Sequence, residues 1–135
     1  MKLYTTIFAV LAFLVSACTD AKQQQKDALQ EVLKIHDEAM AKSEQAIKGK
    51  MLLDSLAKAN SNLKNTDINK VVSDLSTADA AMEDWMHQFN ADNTGKSHEQ
   101  IMQYLNDQHK KVADINDRLK SAIEQSEKFI STHKK

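Results

Sequence analysis

The chain has 135 residues, 41% of them hydrophobic and 27% charged, with a formal net charge of −1. That apolar fraction is enough for a packed core, and the near-neutral balance excludes a protein that holds nucleic acid or an anionic membrane by charge alone. Proline is absent and glycine occurs twice, so the turn chemistry of β structure is missing.

The first segment, "MKLYTTIFAVLAFLVSAC", has one charge at Lys2, an apolar run from Ile7 to Val15, and small residues ahead of Cys18. This is the layout of a secretory signal. The apolar run is too short for a permanent membrane span. Cys18 is the one cysteine in the chain, which excludes an internal disulfide. Its place directly after "VSA" matches the bacterial lipobox, in which the cysteine thiol is acylated and becomes the first residue of the mature chain. The reading divides the chain into a signal segment 1–17, an anchor and short linker 18–22, and a helical domain 23–135. Acyl chains on Cys18 would tie the domain to a membrane.

Past the linker the apolar spacing is helical. Leu29, Leu33, His36, Met40, Ser43 and Ile47 step by four and three, the a/d rhythm of a coiled coil. A stutter at Met51 shifts the phase to Leu52, Leu56, Ala59 and Leu63, with Gly49 inside it. This predicts one long helix from about residue 23 to 63, bent near Gly49. "NSNLKNTD" interrupts it, and Thr66 or Asp67 is the expected cap of a second helix. That helix carries Ile68, Val71, Leu75, Ala78, Met82, Trp85 and Phe89 and ends near Asn90. "NADNTGKS" connects it to a third helix, for which Ser97 and Gln100 form a capping box. The third stripe is Ile101, Leu105, Gln108, Val112, Ile115, Leu119, Ala122, Ser126 and Phe129.

Short connections make neighbouring helices antiparallel. The fold expected is therefore all-α, an up-down-up three-helix bundle with coiled-coil-like packing and a shorter second helix. Helices 1 and 3 then pair beyond the reach of helix 2, leaving a seam near Leu29 and Leu33 at one end and Phe129 and Ile130 at the other. A protein partner along helices 1 and 3 is one expectation for it; coverage by lysine and glutamine stems is the other.

Folding the hairpins about their connections sets Met40 opposite Phe89, Met86 opposite Ile101 and Met102 beside Trp85. His36, Met40, Met86 and Met102 then gather toward one end, a donor set suited to Cu(I) or, as a His/Met pair, to haem iron. The competing explanation is core packing, in which methionine fills gaps and Met82 makes a sulfur–aromatic contact. His36 fits that explanation least, since an imidazole on an inner stripe needs a hydrogen-bond partner. Gln108 is the other polar residue on a stripe, and such residues also mark register.

Catalytic patterns are missing. "HDEAM" lacks the second histidine of a zinc protease helix, and "DWMH" supplies one carboxylate-x-x-His pair where a di-iron bundle needs two. Each serine reads as a cap, a stripe position or helix surface. "HKKVADINDRLK" is a solvated helix face.

"IHDEAM", "ADAAMEDWMHQF" and "YLNDQHKKV", behind a lipobox, resemble a family of short helical lipoproteins from Bacteroidetes whose members often carry the label "viral A-type inclusion protein". The resemblance spans most of the mature chain and is most specific from Trp85 to Phe89. It implies a helical envelope lipoprotein and supplies no activity or catalytic residues. The expectation is a membrane-anchored cell-envelope lipoprotein, facing the periplasm or the exterior. It would act as a non-enzymatic interaction or scaffold module without cofactor. The alternative is a copper- or haem-binding protein using the His/Met cluster.

Overall fold

A computed structural model describes the backbone of residues 2–60 and 65–133 and the side chains of residues 20–60 and 67–133. Three helices make up the described chain: α1 (Lys2–Ala59), α2 (Asn65–Gln88) and α3 (His98–His133). All three pack against one another. Cross-helix contacts establish the topology. Gln25 meets His98, Lys42 meets Asn116 and Gly49 meets Ser126, so α1 and α3 run parallel. His36 meets Trp85 and Lys50 meets Asp79, so α2 runs back between them. This is the expected up-down-up bundle.

Several boundaries differ from the sequence reading. Residues 18–22, read as an anchor and short linker, are part of helix α1, because alanine and lysine favour helix there and no glycine or proline interrupts. Helix α1 ends at Ala59 among the described residues, and the expected end at Leu63 lies outside them. Helix α2 opens at Asn65, which puts Thr66 and Asp67 inside its first turn rather than at its cap. There the Asp67 carboxylate complements the positive end of the helix dipole.

The core stripes of α2 and α3 are those the spacing predicts. Ile68, Leu75, Ala78, Met82 and Trp85 are buried on α2, with Val71 and Phe89 partly so. On α3 the buried set runs from Ile101 through Leu105, Gln108, Val112, Ile115, Leu119 and Ala122 to Ser126, with Ile123 added.

Helix α1 is the exception. Its buried residues are Val32, Ala39, Ala46 and Leu53, seven apart, together with Ser43. His36 and Lys50 complete the alternate positions, so the rhythm of fours and threes runs from Val32 to Leu53 with no stutter. Leu33, Ile47, Met51 and Leu52, expected inside, are exposed. The physical reason is separation: alanine and serine let neighbouring helices approach more closely than leucine would.

Gly49 belongs to the same economy of space. It lies within unbroken helix, where it permits close approach of the neighbouring helices. A methyl group there would stand 3.0 Å from Ser126 Oγ and 3.4 Å from Leu75 Cδ1. Ser126 is 1% exposed, and its hydroxyl has no hydrogen-bond partner among the described residues. It fills the notch that Gly49 leaves.

Polar contacts fix how the helices line up. Ser43 Oγ donates to Asp79 Oδ1, and Lys50 Nζ lies 3.4 Å from Asp79 Oδ2. Lys42 Nζ donates to Asn116 Oδ1 at 2.8 Å. These groups are half-buried, and sliding a helix by one turn would strand them.

Leu75 is fully buried, whereas Lys110 is exposed on the outer face of α3. Leu75→Asp is expected to destabilise the protein by about 4 kcal/mol, because the carboxylate has no partner inside the bundle. Lys110→Asp is expected to stay within about 0.5 kcal/mol of the parent. Thermal melts followed by circular dichroism check this, and equal midpoints for the two variants would refute the helix phase given above.

Candidate functional site

The chemistry-bearing residues concentrate where α2 ends and the second connection turns into α3. Trp85 is the centre. Its indole Nε1 donates to Gln108 Oε1 at 2.9 Å, inside the core. Phe89 stacks on its ring at a centroid distance of 4.8 Å, and Tyr104 stacks on Phe89 at 6.2 Å. The Lys96 ammonium lies 5.2 Å from the Tyr104 ring centroid. On the other side the His36 imidazole tilts against Trp85 at 5.7 Å. One aromatic ladder thus joins α1, α2, the connection and α3.

Local chemistry builds the connection. Ser97 N–H donates to Gln100 Oε1 at 2.9 Å, and Gln100 N–H donates back to Ser97 Oγ at 3.3 Å. That is the capping box read from the sequence. Gly95 has a φ of 78°, the left-handed conformation that glycine adopts without a Cβ clash. Asn90 Oδ1 accepts the Asp92 N–H, and Tyr104 Oη accepts the Asn90 N–H. Asp92 Oδ1 accepts the hydroxyl of Thr94 at 2.6 Å and its N–H at 2.9 Å. These bonds, the hydroxyl foremost, hold the Asp92 carboxyl below its ordinary range, with the nearby Lys96 charge adding to them. Glu99 is lowered in the same way, first by its own backbone N–H and then by the Ser97 hydroxyl.

The predicted ligands are placed as follows. His36 Nδ1 lies 3.0 Å from Asp37 Oδ1, and its side chain is 25% exposed. The imidazole therefore has its hydrogen-bond partner at the bundle's edge. Met40 packs against the core cluster, and Met86 is 39% exposed on α2. His36, Met40 and Met86 lie along the groove between α1 and α2. Met102 shares a helix side with Asn116, two heptads on, which faces α1 from α3. It belongs to the α1/α3 groove, on the other side of α1.

The expected register of α3 on α2 differs because the second connection is longer than a turn about Asn93 and Thr94, so Gln108, not Met102, lies beside Trp85. The register of α1 on α2 differs as well, with His36 rather than Met40 level with this end of α2. Among the described residues, no group of three or more His, Cys, Asp or Glu side chains converges in a way that could hold a metal. The Cys18 side chain lies outside the described residues.

Two features were missed in the sequence. Tyr104 extends the aromatic ladder, and its offset of four from Gln108 was the available signal. The larger omission is the apolar surface of α1. Leu33, Ile47 and Met51 are exposed on its outer side, and Leu52 on the opposite flank borders a groove with Leu75, Ile123 and Ile130.

No protein-family model matches the chain, and no curated protein or solved structure is significantly similar to it.

Two measurements probe this end of the bundle. Trp85→Phe leaves Gln108 without its donor and is expected to cost about 2 kcal/mol, and Gln108→Leu, which strands the indole N–H, about the same. The double variant is expected to cost about 1 kcal/mol less than the two added together. Strict additivity in denaturant titrations would remove the hydrogen bond from the account.

The second concerns pH. A lowered carboxyl contributes at neutral pH and stops contributing as pH falls through its lowered value. The Thr94 amide proton, followed by NMR, is therefore expected to titrate with a midpoint below about 3.9. A midpoint at or above that value contradicts the turn.

Proposed function

We propose that the chain is a cell-envelope lipoprotein, anchored to a membrane through Cys18, whose helical bundle is a non-enzymatic interaction module. The resemblance to short helical lipoproteins supports the same class. The observation that carries the reading is the mismatch on α1. The core there buries Ala39 and Ala46 between Val32 and Leu53, while further large side chains of the same helix face outward: Leu33 is 42%, Ile47 46% and Met51 66% exposed. Scattered exposed apolar residues need no explanation, but an aligned row beside a finished core is the usual mark of a binding surface. Among the described residues, no helix is long and apolar enough to cross a membrane. An acylated cysteine would supply the attachment that those helices do not.

In this reading the described bundle stands off the membrane on α1, with the second connection at its membrane-proximal end, because His98 is level with Gln25. The copper or haem alternative has less to draw on, since Met102 lies across α1 from His36.

The anchor is tested by metabolic labelling with a fatty-acid analogue. The parent chain is expected to incorporate label and to partition into the detergent phase. Cys18→Ser is expected to do neither, because the acylated atom is the thiol sulfur. Equal partitioning of the two proteins, with label in neither, would end the lipoprotein reading.

A further inference from the structure

We propose that the groove between α1 and α2 receives one helix of a protein partner, apolar along one face and carrying lysine or arginine along its edges. This rests on the reading of the bundle as an interaction module and adds the chemistry of the partner.

The groove is defined by contacts. His36, Ser43 and Lys50 are the α1 positions that meet α2. Leu33, Met40 and Ile47 stand three residues before each of them, one step further round the helix toward solvent, and Met51 continues the row. On α2 the matching position is Asp79, which meets Ser43 and Lys50. Val72 and Met86 stand one heptad to either side of it, and Met86 is 39% exposed. The result is a lengthwise furrow with methionine, leucine and isoleucine on its walls. Methionine-rich walls repack around an apolar helix with little strain. From Leu33 to Met51 the row is about 27 Å long, which matches a partner helix of about 18 residues.

Charge selects the occupant. Of the acids on α2, Asp79 and Glu83 lie on the side of the furrow, whereas Asp74 pairs with Lys70 at 2.6 Å and faces the α3 side. Along the furrow, Lys50 is matched by Asp79 and Lys48 approaches Glu44 at 4.0 Å. Asp37 and Glu83 remain on the two rims, facing no lysine in the described salt bridges. A second copy of this chain would set acidic rims against acidic rims. An anionic lipid surface would meet the same repulsion. A helix edged with basic side chains meets attraction on both sides.

The probe is a synthetic amphipathic peptide of about 18 residues, leucine on one face and lysine on its flanks. It is titrated into the full chain by calorimetry and by methyl NMR. The expected result is saturable binding with shifts confined to Met40, Ile47, Met51 and Met86. The triple variant Ile47→Gln, Met51→Gln, Met86→Gln, at exposed positions, is expected to weaken binding at least about tenfold while leaving helicity unchanged. Glu83→Lys is expected to weaken it and to flatten its salt dependence. A peptide with glutamate in place of lysine is expected to bind at least about tenfold more weakly.

Equal affinity for the two peptides, or full binding by the triple variant, overturns the proposal. So does a chain that dimerises by sedimentation and loses the dimer with Ile47→Gln, since the occupant is then a second copy. None of these readouts uses Cys18, so a failed groove and a failed anchor are told apart.

Discussion

The bundle depends on how closely α2 and α3 approach α1 along Ala39, Ser43, Ala46 and Gly49. Small side chains at these positions leave little room between the backbones. Whatever faces them must be small or must fit a notch, as Ser126 fits beside Gly49. The same closeness brings Ser43 and Lys50 within reach of Asp79, and Lys42 within reach of Asn116. These polar contacts set the longitudinal register, which in turn delivers Trp85 to Gln108 and His36 to the edge of the indole. The larger apolar residues of α1 have no place in so narrow an interface. They are displaced to its outer sides, where they form the surface on which the functional reading stands.

The two ends of the molecule are finished differently. Around the second connection, two residues are each used twice: Asp92 ties Thr94 by two bonds, and Ser97 both gives to and takes from Gln100. Aromatic rings close that end over the core. At the far end α2 starts where α1 stops, and Phe129 and Ile130 are half-buried beside the core cluster. Helix α2 is 24 residues long against 36 for α3, and the connection from Phe89 to Ser97 takes its place beside the early turns of α3. The seam expected at both ends is thus covered by the connection at one of them.

The stripes of α2 and α3 are legible because their inner positions hold large apolar residues, and hydrophobic spacing follows burial when size and burial agree. The capping box is legible because every atom in it comes from four consecutive residues. On α1 size and burial disagree. Between Val32 and Leu53 the inner positions hold alanine, serine, glycine, histidine and lysine, so a reading weighted by hydrophobicity selects the neighbouring row of leucine, methionine and isoleucine and must invent a stutter to continue. Gly49 looks like a bend for the same reason: its use is visible only against Ser126 of another helix. The placement of Met102 is a different matter. Placing Met102 beside Trp85 required the length of chain consumed by the second connection, which side chain–backbone bonds at Asn90, Asp92 and Ser97 determine.

The parallel course of α1 and α3 has a mechanical consequence. With three helices, the start of the described bundle and the end of α3 lie at opposite poles of a rod. Helix α3 alone, at 36 residues, is about 54 Å long. A pull between those poles loads the helices along their axes, in shear. The Gly49–Ser126 notch, the Lys42–Asn116 bond and the Asp79 contacts would then bear the load together rather than open one after another. A bundle with an even number of helices, its ends side by side, would instead peel apart layer by layer.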